Sequence, residues 1–218
     1  MKIGIIGAGM IGGTLTRRLC SLGHAVQVAN SRSPQTLADL AGETGATAVW
    51  AAQAADDTDL VIVTIPQKSV PDLAPGILGG ARPGAPVIDT NNYYPQRDGH
   101  IAGIEAGTPE SVWVAEQLGA PVVKVFNTIW YKRLLNNGKP KGAAGRIALP
   151  VAGAAGPGKQ QVFNLVEELG FDPVDGGTLA DSWRQQPGTP AYAKDFGIEE
   201  TLIALAEARP GRAKEFRA

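Results

Sequence analysis

The chain has 218 residues, with 20 Lys and Arg against 21 Asp and Glu and a net charge of −1, so no long-range field draws it to nucleic acid or an acidic membrane. Hydrophobic residues are 44% and charged residues 19% of the total, which excludes a wholly disordered chain and suffices for one sizeable core. The single Cys20 and the 2 histidines exclude an intramolecular disulfide and a Cys/His zinc cluster, and point to a reducing, cytoplasmic setting.

The chain opens on an apolar stretch behind Lys2. Its glycines and the lack of a small-residue cleavage site predict a strand and loop rather than a signal peptide. No apolar run approaches the roughly 20 residues of a membrane helix. Short β-branched runs predict strands at Lys2 to Ile6, Ala25 to Ala29, Leu60 to Ile65, Pro86 to Asp89 and Pro121 to Asn127. Each is almost continuously apolar, as a parallel strand covered on both faces requires, so the segments between them are expected to be crossover helices. Gly23 after Leu22, Ser33-Pro34 and Thr108-Pro109 supply helix end signals.

Beyond Trp130, the run from Asn136 to Gly145 predicts a flexible connection. A strand at Arg146 to Ala152, a helix at Lys159 to Leu169 ended by Gly170, and a strand at Phe171 to Asp175 are expected to continue the sheet. Gln185 to Pro190 is a turn-rich break, and Gly197 to Ala208 an amphipathic helix. The fold class is therefore a doubly wound, mostly parallel α/β sheet of the Rossmann dinucleotide-binding kind. Residues 1–218 form one such domain, with a C-terminal α/β extension from about residue 131 packed on it.

Gly7-Ala8-Gly9-Met10-Ile11-Gly12 follows the first strand and opens a helix, satisfying G-x-G-x-x-G in its proper context. Gly7 permits the tight turn, Gly9 lets the backbone approach a pyrophosphate, and Gly12 allows helix to pack on strand. The second strand ends in Asn30-Ser31-Arg32 rather than the Asp or Glu that binds a free ribose 2′-OH. A hydroxyl and a guanidinium bind a 2′-phosphate, which points to NADP(H). The competing reading has Ser31 and Ser33 capping the next helix and Arg32 solvated.

Thr64, Ile65 and Pro66 end a strand at the edge where ligands of α/β sheets lie, placed either to cover the adenosine or ribose or as a structural turn. The next two strands end in Asp89 to Pro95 and Phe126 to Tyr131. Asn91 and Asn127 are candidate amide partners for the nicotinamide and second substrate, and Trp130 and Tyr131 a candidate stacking surface. The aromatics are equally compatible with packing.

Candidates for proton transfer are poor. His24 follows a helix C-terminus and His100 lies in the Arg97-Asp98-Gly99 loop, so both are expected at the surface. Lys124 lies within a buried strand, where it snorkels, pairs with a carboxylate or acts in catalysis. An acceptor that takes a hydride without a positioned proton donor, a flavin-like ring, suits this inventory. Gly153 to Lys159 imitates a P-loop, but Gln160 stands where Ser or Thr would ligate Mg²⁺. Asp56, Asp57 and Asp59 read as a solvated turn.

With these residues assembled, the chain resembles the F420-dependent NADP oxidoreductase family. The likeness rests on Gly7 to Gly12, Asn30-Ser31-Arg32, Val63-Thr64-Ile65-Pro66, Val122 to Asn127 and Asp175 to Trp183. The last two blocks are also similar to the NADPH domain of six-transmembrane metalloreductases. The resemblance implies hydride transfer between nicotinamide C4 and deazaflavin C5, Gly7 to Gly12 on the pyrophosphate, Ser31 and Arg32 on the 2′-phosphate, and a homodimer. Archaeal members are apolar around the deazaflavin, whereas this chain has Asn91-Asn92-Tyr93-Tyr94 and Trp130-Tyr131. The diffusible acceptor therefore stays open between F420 and a flavin such as FMN or FAD. Two other readings remain: a dehydrogenase or imine reductase of a small substrate, and a non-catalytic NADP(H) sensor.

Overall fold

Continuous apolar runs become central strands because both faces are covered. The computed structural model, which describes residues 1–218, contains β1 (Lys2–Ile6), α1 (Met10–Ser21), β2 (Ala25–Ala29), α2 (Ala38–Thr44), β3 (Thr47–Ala48), β4 (Leu60–Val63) and β5 (Val87–Asp89). These are followed by α3 (Pro95–Asp98), α4 (Ala102–Glu105), α5 (Glu110–Leu118) and β6 (Val123–Lys124). The six strands pair in parallel in the order β3-β2-β1-β4-β5-β6. The order reverses between β1 and β4, the switch point outside which such sheets bind ligands. Ile3, Ile5, Leu60 and Ile62 are fully buried, and the sheet is apolar on both faces as the sequence pattern requires.

Two details of this half differ from expectation. Strand β3 was not anticipated, because two residues are too short to show a period; it pairs with Gln27 and Val28. The β4 to β5 crossover contains no α-helix, only a 3₁₀ turn at Gln67–Ser69 and irregular turns. Pro66, Pro71, Pro75, Pro83 and Pro86 interrupt that segment too often for an i to i−4 ladder.

The C-terminal part adds α6 (Tyr131–Asn136), β7 (Ala148–Val151), α7 (Pro157–Glu168), β8 (Asp172–Asp175) and α8 (Ile198–Glu207). The main sheet does not continue through it. Strands β7 and β8 form a separate parallel pair, joined to β6 through an antiparallel bridge between Lys124 and Ala152. Strand β6 is short because Phe126, with φ 64°, turns the chain out of the extended conformation. A single apolar cluster nevertheless includes Ile3 and Leu15 with Val162, Leu165 and Phe171. Helix α6 stands at the start of the predicted connection. Its Leu134 is buried, and the Arg18 guanidinium donates to Leu135 O at 3.1 Å and to Leu169 O at 2.7 Å, satisfying carbonyls at the ends of α6 and α7.

His24 also departs from its expected exposure: its side chain is only 7% exposed, with Nε2 3.2 Å from Glu168 and Nδ1 3.1 Å from the N-terminal amine. These partners hold the ring at the amino edge of the sheet. His100 is exposed as expected. No helix is long and apolar enough to cross a membrane.

Candidate functional site

The glycine motif divides into packing positions and an open one. Gly7 has φ 113°, and a Cβ there would lie 2.1 Å from the Thr64 carbonyl oxygen. A Cβ at Gly12 would lie 1.9 Å from Gly7 O. At Gly9 a Cβ would meet nothing within 4 Å. Gly9 precedes α1, and Gly13 N–H donates to Gly9 O at 2.8 Å. Met10, Ile11 and Gly12 therefore present the free N–H groups of a helix start to that space, at its positive end. An open cavity of about 350 Å³ beside it is lined by Gly9, Met10, Thr14, Thr36, Leu37 and Tyr131.

The end of β2 is shaped by Asn30 rather than by a serine cap. Its Oδ1 accepts the Arg32 N–H at 2.8 Å, and its Nδ2 donates to Thr36 Oγ1 at 2.9 Å. Ser33 makes no capping bond. Ser31 and Arg32 are exposed, and neither side chain has a partner within the protein, so a hydroxyl and a guanidinium are left for an anion. Thr64 and Ile65 are half-buried against Gly7 and Gly12, and Pro66 is exposed.

Farther along the carboxyl edge, the structure turns the expected amides inward. Asn91 is 3% exposed; its Oδ1 accepts the Ile65 N–H at 2.9 Å, and its buried Nδ2 has no partner. Asn127 is 4% exposed; its Nδ2 donates to Gln185 O at 2.7 Å, and its Oδ1 accepts from Gln185 Nε2 at 2.9 Å. An amide taken out of water needs such partners. Asn127 thus clamps a loop through both ends of its amide, whereas Asn91 clamps one through Oδ1 and keeps Nδ2 without a partner. Tyr131 faces the Gly9 cavity, and Trp130 lies on the surface, edge-on to Tyr131 at 5.6 Å with Lys132 over its ring.

Lys124 is fully buried and does not reach the cleft. Its ammonium lies 3.1 Å from Asp89 Oδ2 and donates to Asn91 O. Asp89 also accepts from Ser111 Oγ at 2.7 Å and from the Asn91 N–H at 2.9 Å. In the P-loop imitation the loop is exposed but its lysine is engaged within the protein: Lys159 Nζ lies 2.7 Å from Asp175 Oδ1 and donates to Gly177 O. Asp57 and Asp59 are engaged by Arg82 at 2.8 and 2.5 Å.

Sequence reasoning missed a second buried pair. Glu110 is fully buried and accepts the Tyr93 N–H at 3.0 Å and Arg212 Nη1 at 2.6 Å. Arg212 also donates to Tyr93 O and lies 4.6 Å from the centre of the Tyr93 ring. Burial raises the Glu110 carboxyl above the usual carboxylate range, against the pull of Lys124 and Arg212. Nearby, the Tyr94 and Tyr192 hydroxyls touch, and burial pushes the Tyr192 phenol up. A glutamate opening a helix and an arginine in a charged tail carry no signal that they meet.

Residues 2–93 match the sequence model of the family described as NADP oxidoreductase, coenzyme F420-dependent. The hypothetical protein SMa0349 of Sinorhizobium meliloti is 32% identical, at a TM-score of 0.74, over 89% of this chain and 94% of that one. The chain belongs to the F420-dependent NADP oxidoreductase family. A protein of Arthrobacter sp. FB24 provisionally described as an F420-dependent NADP reductase shares the fold, with a TM-score of 0.66 and 22% identity over 84% of this chain and 87% of that one. An imine reductase from Pseudomonas sp. shares it too, at a TM-score of 0.58 and 17% identity over 94% of this chain and 60% of that one. Among curated proteins, Escherichia coli K12 YjhV is 42% identical over 79 residues, 36% of this chain. That match spans 58% of YjhV, under two thirds of its length.

The family is one of NADP-dependent oxidoreductases, and this chain's residues fit the dinucleotide. The space over Gly9 fits a pyrophosphate, and the unpaired Ser31 and Arg32 at the end of β2 have the donor chemistry of a 2′-phosphate site.

Proposed function

We propose that the protein transfers hydride between NADP(H) and a diffusible planar acceptor, the deazaflavin F420 or a flavin such as FMN or FAD. The observation that carries the reading is the free Arg32 guanidinium at the end of β2, on the same sheet edge as the open Gly9 turn. Gly9 and the N–H groups of Met10, Ile11 and Gly12 hold the pyrophosphate, and Ser31 and Arg32 hold the 2′-phosphate. Ile65 and Pro66 cover one side of the groove and Tyr131 borders the other.

The reduced nicotinamide, when bound, supplies the hydride. The three candidates for proton transfer are placed elsewhere: His24 is held at the amino edge, His100 is on an exposed loop and Lys124 is sealed inside. This supports an acceptor ring that takes the hydride at its central position, C5 of a deazaflavin or N5 of a flavin, and its balancing proton from water. The chain's contribution is then binding and alignment of two flat rings. The same reading includes a homodimer seated on α8, whose Ile198, Leu202 and Ile203 are 49%, 49% and 50% exposed; size-exclusion chromatography with light scattering tests it.

The test of function is a spectrophotometric assay of NADPH and NADH oxidation against F420, FMN, FAD and riboflavin. NADPH-dependent reduction of F420 or a flavin is expected. Turnover confined to small imines or hydroxy acids contradicts the acceptor class, and tight NADPH binding without turnover of any acceptor contradicts the enzyme reading.

A further inference from the structure

We propose that Lys124 is a positioning residue that sets the floor of the dinucleotide groove, acting through Asp89, Asn91 and Ile65. The chain of contacts is continuous. The buried ammonium holds Asp89 Oδ2 and Asn91 O. Asp89 Oδ1 in turn accepts the Asn91 N–H at 2.9 Å, so the Asn91 backbone is held at both its N–H and its carbonyl. The Asn91 side chain then accepts the Ile65 N–H at 2.9 Å. Ile65 and Thr64 pack on Gly7, where even a methyl group would overlap the Thr64 carbonyl and lie 2.8 Å from Ile65 Cγ2.

A buried ion pair is weak support for stability, because desolvating two charges offsets their attraction. Here the pair fixes the geometry of a third residue, and that residue fixes the loop against the glycine turn. Lys124 neither touches the groove nor donates a proton in it. The inference rests on the groove's being the NADP(H) site.

The test uses Lys124→Met, Lys124→Arg and the double variant Asp89→Asn/Lys124→Met, which removes both buried charges if the single change fails to fold. Two quantities are measured on the folded protein: the Kd for NADPH and for NADH, and hydrogen exchange at the Ile65 amide without nucleotide. Loss of the ammonium is expected to accelerate Ile65 exchange and to weaken both nucleotides by the same factor, about three- to tenfold, one hydrogen bond's worth of alignment. Lys124→Arg restores part of both. Asn91→Ala gives the same changes, and combining it with Lys124→Met adds little further. A lowered Tm with unchanged Ile65 exchange and unchanged Kd overturns the proposal and makes the pair merely structural. If the wild-type protein binds neither nucleotide, the functional reading fails, while Ile65 exchange still decides the positioning role.

Discussion

The two ends of the carboxyl edge are built by opposite means. On the β1–β2 side the site is made by what is missing: no Cβ over Gly9, no partner for Arg32, no acceptor for the first N–H groups of α1. On the β5–β6 side the space is filled by side chains that bind each other, with Asn127 on Gln185, Glu110 on Arg212, and Tyr94 on Tyr192. In the proposed function a dinucleotide is held largely by backbone, whereas the second ring would meet a surface whose shape depends on buried polar pairs. The matched family segment, residues 2–93, ends where the first kind of construction gives way to the second.

The sharpest way to break this contrast is within the glycine motif. Gly12→Val would drive a side chain into Gly7 O, so nucleotide binding should be lost and stability should fall by about 1–3 kcal/mol or more, the cost of overpacking. Gly9→Val has room to fold, so NADPH and NADH binding should vanish with Tm unchanged. Retained affinity in a thermal-shift and fluorescence titration would refute the role of Gly9.

On the filled side, Arg212→Ala leaves the Glu110 carboxyl buried and unpaired. A loss of about 3–5 kcal/mol in denaturant unfolding is expected. The deficit has a defined pH dependence. Glu110 has a raised pKa in the folded state, so the protein is favoured below the ordinary glutamate value and loses stability as pH rises through the raised one. The Arg212→Ala deficit should therefore shrink toward about pH 4, where the carboxyl is protonated, and Glu110→Gln/Arg212→Ala should remove the dependence. A pH-independent deficit would place the effect in lost packing of the tail.

Gln185→Ala removes both the donor to Asn127 Oδ1 and the donor to Pro150 O. Leaving Asn127 Oδ1 and Pro150 O without their donor is expected to cost about 1–3 kcal/mol, and to alter turnover of the acceptor more than the Kd of NADPH. An effect on NADPH binding alone would erase the distinction between the two ends. The smallest expected effect is at Asp175, which Lys159 holds below the usual carboxylate range. That lowered pKa adds stability above the ordinary aspartate value and loses it as pH falls through the folded one. Asp175 is largely exposed, so Asp175→Asn should flatten the acid limb of stability by only about 0.5 kcal/mol. No change below pH 4 would show the pair to be fully screened.

These effects follow the line between what was and was not legible in the sequence. The strands β1, β2 and β4 and the glycine turn could be read because apolar runs and G-x-G-x-x-G express constraints within a few residues of one another. Arg32 could be read for the same reason, as the residue that stands where a carboxylate would exclude a 2′-phosphate. Strand β3 is too short to carry a period, and the β4 to β5 crossover has the length of a helical connection, which its prolines exclude. The inward turn of Asn91 and Asn127 could not be read at all. It depends on Ile65, 26 residues before Asn91, and on Gln185, 58 residues after Asn127. The buried His24 ring and the end of the main sheet at β6 also depend on partners distant in the chain, Glu168 and Ala152.

The most direct test of the central claim, that backbone and one arginine make an NADP(H) site, is a side-by-side titration of wild type and Arg32→Ala with NADPH and NADH. A charge-assisted contact of about 1.5–3 kcal/mol predicts that wild type prefers NADPH by about tenfold to a hundredfold, and that Arg32→Ala loses this preference while its Kd for NADH stays the same. Equal losses for both nucleotides, or a wild type that prefers NADH, would contradict it.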